Sequence, residues 1–217
     1  MLNTDQPIVY QGQFGPFAID DHDRREVMLY RAGLAIAAGS FILGSFLVLT
    51  QPLTPLILTS TTLCFWGMTA GLGLSLWTIH IYLVILHRTL QIFWAIGTVT
   101  ALILTVTQPF SLVETIYNQP LTLLGIGFTF AALTGIFFKE AFCFNRLETK
   151  ILTPLVPFLL LGHLLEFLPV TLEKFSLTLW ASLFLIFALR KLIQPIPPDI
   201  GDKSVFTYLK QRALAKD

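Results

Sequence analysis

The sequence predicts an all-α fold, a polytopic transmembrane helix bundle of six spans with both termini on the cytoplasmic face. Three observations lead there. Hydrophobic residues make up 54% of the 217 and charged residues only 12%, with a mean hydropathy of +0.73, far from the averages of water-soluble domains. Six apolar segments have the length of about 20 residues that a helix needs to cross roughly 30 Å of hydrocarbon. Finally, 13 of the 14 Lys and Arg residues fall on one side of the resulting topology, the asymmetry that marks cytoplasmic loops.

The elements follow in chain order. Residues 1–27 form a short cytoplasmic tail with Gly12, Gly15 and Pro16 ahead of an acidic turn, Asp20, Asp21, Asp23 and Glu26, suited to capping the first helix. The tail has no apolar stretch followed by a small-residue cleavage site, so it does not read as a signal peptide. The spans are expected at 28–50, 56–79, 90–107, 120–138, 151–168 and 175–193. Thr50-Gln51-Pro52 ends the first and Thr107-Gln108-Pro109 the third, while Pro169 ends the fifth, because proline removes an amide donor and restricts the residue before it. Residues 194–217 form a basic cytoplasmic tail. Val205, Phe206 and Leu209 lie there beside Lys203, Lys210 and Arg212, the pattern of an interfacial helix lying on an anionic leaflet or docked on the bundle.

With the amino terminus inside, the inner loops and tails collect every basic residue except Lys174. Counting one span more or fewer scrambles that partition, so number and orientation support each other. Tyr82 and Trp94 fit an aromatic belt at the inner interface and Trp180 at the outer one. Span two carries Gly67, Gly71 and Gly73, with Gly67 and Gly71 at the GxxxG spacing that lets backbones approach. Span one offers Gly33, Ala37, Gly39, Ser40 and Gly44, and span four Gly125, Gly127 and Gly135. Close packing among these three helices is expected, with span two at the centre.

Ionisable groups in or beside a span are costly and therefore the first candidates for function. His80, Tyr82, His87 and Arg88 follow span two, and Lys139, Glu140, Cys143 and Arg146 follow span four, so all gather at the inner surface. His80 and His87 share a helical face if span two continues to Arg88, yet lie about 10 Å apart along the axis, too far for one metal ion. Lys139 and Glu140 adjoin and point about 100° apart, so each is expected to seek partners on other helices. Glu140 would accept from His80 or Arg88; the plainer reading is a wet rim of snorkelling side chains. A second cluster, His163 and Glu166, shares a face of span five in the outer half of the membrane. There it could relay a proton, His163 could ligate a tetrapyrrole metal, or both could be interfacial.

No phosphate loop, HExxH, Gly-x-Ser-x-Gly or pair of intramembrane aspartates is present, so neither a catalytic residue nor a metal ligand set is assigned. The two cysteines, Cys64 and Cys143, form no redox or metal motif. A net charge of +1 offers no field for nucleic acid.

The strings Gly71-Leu72-Gly73-Leu74-Ser75-Leu76-Trp77-Thr78-Ile79-His80-Ile81-Tyr82 and Thr134-Gly135-Ile136-Phe137-Phe138-Lys139-Glu140-Ala141-Phe142-Cys143-Phe144 resemble an uncharacterised family of integral membrane proteins of cyanobacteria and plastids. The resemblance covers about residues 24–192. It implies a plasma or thylakoid membrane, a stromal setting for the termini in plastids, and no established reaction. The reading ranked first is a non-catalytic accessory protein that assists assembly or stability of a photosynthetic complex, in contact with lipid and with that complex's subunits, and holding chlorophyll or another tetrapyrrole. The alternative is a small ion, solute or proton-coupled carrier built on His163 and Glu166. An intramembrane enzyme at His80, Glu140 and Cys143 ranks third. A tightly filled core favours the first; a cavity reaching Glu166 favours the second.

Overall fold

A computed structural model describes residues 9–214; Lys216, counted above among the basic residues, and residues 1–8 of the amino-terminal tail lie outside them. The chain opens with a β-hairpin, β1 (Val9–Gly12) and β2 (Gly15–Ala18). Gly15 sits at φ 135°, open to glycine alone. Asp20 then caps α1 (Asp21–Thr50) in a reciprocal capping box with Asp23. Next come α2 (Pro55–Thr78), α3 (Val84–Thr107), a short α4 (Leu112–Asn118) and a 3-10 turn (Pro120–Thr122). The chain continues through α5 (Leu123–Phe144), α6 (Leu147–Leu164), α7 (Val170–Ile193), α8 (Pro197–Ile200) and α9 (Lys203–Leu214).

Six of these helices, α1, α2, α3, α5, α6 and α7, are long and apolar enough to cross a membrane. Several run past the expected limits: α1 starts at Asp21, α3 at Val84 and α6 at Leu147, and α5 continues to Phe144. Hydropathy falls where charges begin, but the backbone gains by continuing its hydrogen bonds into the interface. Threonine is tolerated inside the spans because its hydroxyl bonds a carbonyl one turn back, as Thr98 does to Trp94 and Thr134 to Phe130.

The principal contacts run round a ring, α1 to α2, α3, α5, α6, α7 and back to α1. Glycine makes the tightest seam. A Cβ on Gly33 would lie 2.6 Å from the Gly71 carbonyl oxygen, and one on Gly71 would lie 2.7 Å from the Ala37 amide nitrogen, so α1 and α2 meet backbone to backbone. Gly67 receives Ser40 of α1, and Gly73 receives the Trp94 ring of α3, whose Nε1 donates to the Thr69 carbonyl at 2.8 Å. The expected triad of spans one, two and four is not formed. The glycines of α5 serve α3 instead, Gly125 facing Thr100 and Gly135 facing Leu90. Helix α2 is one member of the ring, not its centre.

Aromatic side chains fill the ring along much of its length. Trp180 meets Phe41 at 4.4 Å and Phe130 at 5.5 Å, and Phe137 meets Phe184 at 5.2 Å and Phe187 at 5.7 Å. Trp180, expected at the outer interface, is 2% exposed; the periodicity that puts Phe184 and Phe187 inward carries it inward too. The hairpin, the start of α1, α8 and α9 share one end of the ring, called here the terminal end; Ile19, Val27 and Ile200 form a small second core there. Neither tail stands alone, because each supplies half of this cap. The opposite end, with the Thr50–Thr54 turn and α4, is the distal end.

Candidate functional site: a ligand cavity and a buried ion cluster

At the distal end the ring is hollow. A cavity of about 890 Å³ is lined by Ser40, Gly44 and Ser45 of α1, Thr61, Cys64 and Met68 of α2, Ile116 and Tyr117 of α4, Leu159 and His163 of α6, and Leu177 of α7. Its deepest wall is Phe41, Phe65, Phe130 and Trp180, and its rim includes the exposed Gln51, Pro52 and Lys174. Volume and apolar walls match sites for small organic molecules. The Trp180 indole N–H has no hydrogen-bond partner, although buried indoles ordinarily find one.

His163 stands at the rim and is engaged on both nitrogens. Nδ1 is 2.6 Å from Glu173 Oε1, Nε2 is 3.1 Å from the Tyr117 carbonyl oxygen, and the ring stacks on Tyr117 at 5.0 Å. A carbonyl only accepts, so Nε2 carries a proton. The second proton then belongs either to Nδ1, giving an imidazolium beside a carboxylate, or to Glu173. The pair is therefore a place where a proton can move between two atoms 2.6 Å apart. One nitrogen would have to give up its present partner before His163 could ligate a tetrapyrrole metal, while the bond on the other could remain.

Glu166 is not the partner of His163. Helix α6 ends at Leu164, and Glu166 sits beyond it at φ 54°, a left-handed conformation uncommon for any residue but glycine. It is exposed and lines a smaller pocket of about 340 Å³ that shares Tyr117, His163 and Glu173 with the main cavity. The shared helical face fails because the helix stops between the two residues. Pro154 and Pro157 lie in the middle of α6. On the span expected at 151–168 no proline breaks a midplane, which counts against a carrier. Because α6 begins at Leu147 instead, the two prolines are central, deprive the Lys150 and Thr153 carbonyls of helical donors and weaken α6 near its midpoint.

At the terminal end the ring is plugged by charge. Glu140 of α5 is fully buried and accepts from the Tyr30 hydroxyl at 3.0 Å, Lys139 Nζ at 2.9 Å and Lys191 Nζ at 2.7 Å. Lys191 also reaches Asp199 of α8, which takes Arg31 Nε at 2.9 Å and Nη2 at 2.6 Å, and Gln194 Nε2 at 3.0 Å. Charges this deep persist only when paired and hydrogen-bonded. The wet rim is thus corrected: Lys139 and Glu140, expected to look away from each other, pair directly, because flexible Lys139 folds back inside the ring.

The other residues of the expected inner cluster disperse. Helix α2 stops at Thr78, so His80 and His87 share no face; His80 lies 3.2 Å from Glu26 Oε2 and His87 Nε2 donates to the Leu76 carbonyl at 2.7 Å. Desolvation holds His80 below its usual pKa, against the pull of Glu26 and Asp23. Arg88 bonds Gln91, and the Tyr82 hydroxyl accepts from the Asp202 amide. Burial raises the Tyr82 phenol. Cys143 is exposed and free, and Arg146 bonds Gln194. Among the described residues no group of His, Cys, Asp and Glu is placed to hold a metal ion.

Lys191, Asp199, Tyr30, Arg31 and Glu173 were not singled out by sequence. For two clusters a signal existed. Trp180, Phe184, Phe187 and Lys191 recur at helical spacing on one face, as do Leu133, Ile136, Phe137 and Glu140, so each charge continues an apolar stripe.

Residues 74–208 match the family model described as an uncharacterised integral membrane protein, DUF2301. The chain belongs to this family. The match begins later than the resemblance suggested and extends through α8 into α9. It contains Glu140, Lys191 and Asp199, whereas Tyr30 and Arg31 precede it. No curated protein and no solved structure matches the chain. Family and fold together make this a multi-pass integral membrane protein.

Proposed function

We propose that this member of the DUF2301 family is a carrier for a small, largely apolar solute, in a conformation open at the distal end. The observation that supports it is the cavity of about 890 Å³ that enters the ring at one end and stops at Phe41, Phe130 and Trp180. A pathway open on one side and sealed on the other is what alternating access requires, and substrate sites of carriers lie within the bundle near helices of broken regularity. The central prolines of α6 supply such a break. His163 and Glu173 at the rim offer a proton that can be coupled to solute entry.

In this reading the terminal end faces the cytoplasm, on the distribution of Lys and Arg. The accessory role ranked first on sequence drew on the family resemblance, the close-packing glycine faces and the missing enzyme motifs, with a filled core as the observation that would favour it. The cavity at the distal end is what supports placing the carrier reading ahead of it.

Cys64 on the cavity wall is the reporter. In a Cys143→Ser variant reconstituted in liposomes, a membrane-impermeant thiosulfonate added on the distal side is expected to label Cys64. Added on the terminal side it should not. Solutes screened for protection of Cys64 then enter a flux assay, with Glu173→Gln as the proton-coupling control. A Cys64 that is unreactive from the distal side, or that reacts equally from both, would defeat the carrier reading.

A further inference from the structure

Charge at the terminal end does not balance. Beside Glu140, Glu148 and Asp199 stand Arg31, Lys139, Arg146, Arg190 and Lys191, and of these eight only Arg190 is substantially exposed. Glu148 takes Arg190 Nη1 at 2.9 Å on one oxygen, and its other oxygen has no donor. Five cations face three carboxylates, an excess of two. Uncompensated charge in a medium of low dielectric is strongly unfavourable, so a counter-anion is called for.

The excess is concentrated at one corner. Lys139 Nζ, Arg146 Cζ and Lys191 Nζ lie 5.4, 5.5 and 4.3 Å from the centre of the Phe144 ring. Lys191 spends its charge on Glu140 and Asp199, and Lys139 on Glu140, but the Arg146 guanidinium has only Gln194, a neutral amide. Its Nη1 is buried and without a partner, and the residue is 9% exposed. Arg146 also occupies the N-cap of α6, where no side chain caps the first turn. The positive end of the helix dipole therefore adds to the guanidinium, with Glu148 the acidic residue of that first turn and committed to Arg190 through one oxygen. Exposed Phe142, Leu147 and Ile193 surround the corner with an apolar collar, which places it at the depth where lipid tails meet headgroups.

We propose that Arg146, Lys139 and the first turn of α6 form a binding site for a phosphate group, supplied by an anionic lipid of the leaflet at the terminal end. Guanidinium and helix N-terminus are the donors that suit phosphate oxygens, and the two negative charges of the deficit suit one phosphate monoester or two diesters. The site stands apart from the distal cavity and does not depend on transport.

The test uses the full chain in nanodiscs of phosphatidylcholine alone or with phosphatidylglycerol, followed by thermal unfolding and by native mass spectrometry for retained lipid. Phosphatidylglycerol is expected to raise the midpoint by about 5 °C and to be retained. Arg146→Gln and Lys139→Gln should each lose at least half of that increment, while Arg88→Gln, at the same end but outside the cluster, should keep it. Detergent-solubilised protein in inorganic phosphate against chloride at matched ionic strength separates the sources: a rise with both ligands assigns the site to phosphate in general, and a rise with lipid alone to the headgroup. Equal midpoints in every medium overturn the proposal, as does an Arg146→Gln variant that responds like the unmodified chain. Should Arg146→Gln not fold, Arg146→Lys, which keeps the charge and loses the fork, must still show a reduced response.

Discussion

The distal and terminal ends of the bundle are built from the same helices and differ in what they do with charge. Helix α7 supplies both Glu173, at the rim of the cavity, and Lys191, inside the ion cluster. At the distal end the His163–Glu173 pair, 18% and 14% exposed, lies against the wall beside the cavity. At the terminal end Tyr30, Arg31, Glu140, Lys191 and Asp199 bond one another across α1, α5, α7 and α8 and are buried. A few well-paired charges close the end of a helix ring as effectively as the aromatic side chains that fill its middle. Where a single pair leans to one side, the ring stays open.

The largest expected effect comes from breaking the closed end. Glu140→Leu strands Lys139 and Lys191 without their shared carboxylate and should cost about 3–5 kcal/mol, read as a lowered unfolding midpoint in detergent or as failure to accumulate. Unchanged stability would mean that the cluster is hydrated and open.

Matched enlargements sharpen the comparison next. Ala132→Leu, in the filled core at 0% exposure, should cost about 1–3 kcal/mol by overpacking. Leu160→Trp, on the cavity wall, should leave the midpoint within about 1 kcal/mol while slowing distal labelling of Cys64. Equal losses would show that the cavity is closed in the membrane.

Smaller still is Glu173→Gln. His163 keeps its bond to the Tyr117 carbonyl and meets an amide that can still hydrogen-bond it in place of the largely buried carboxylate, a change of about 1 kcal/mol, with the pH dependence of any solute flux removed.

The smallest effect concerns the terminal cap. Backbone donation from Asp23 lowers the Asp20 carboxyl, donation from Ser204 and Gln13 lowers Asp202, and desolvation lowers His80. A depressed folded pKa gives stability above the unfolded value that is lost as pH falls. His80 therefore begins to weaken the cap below about 6.5, and the two carboxylates add to this below about 3.8. Hydrogen exchange of the hairpin and α9 amides, corrected for intrinsic rates, should rise with acidity before that of α2 does. Protection independent of pH would show that apolar contacts alone hold the cap.

Much of this architecture was legible in the chain. Six apolar segments announce six spans, since a continuous apolar run of about 20 residues satisfies its backbone in lipid only as a helix, and Asp20 with Asp23 announces the start of α1. Gly71 reads as a site of close approach, although not which helix approaches. The site was less legible. His163 and Glu166 are near in sequence and part because the helix ends between them, while His163 and Glu173 meet across a turn. Pro154 and Pro157 look peripheral until Leu147 is seen to begin the helix.

What the sequence determined by itself is the part of the structure governed by the surrounding solvent: apolar length, the side on which basic residues collect, and local caps depend on each segment alone. Tertiary structure decided which helices are neighbours, that α5 serves α3, that Lys191 and Asp199 answer Glu140 and Arg31, and that one end is hollow. Inside a bilayer every span is equally apolar to its neighbours, so hydrophobicity cannot choose partners. Steric fit at glycine and the pairing of buried charge make that choice, and both belong to two helices at once.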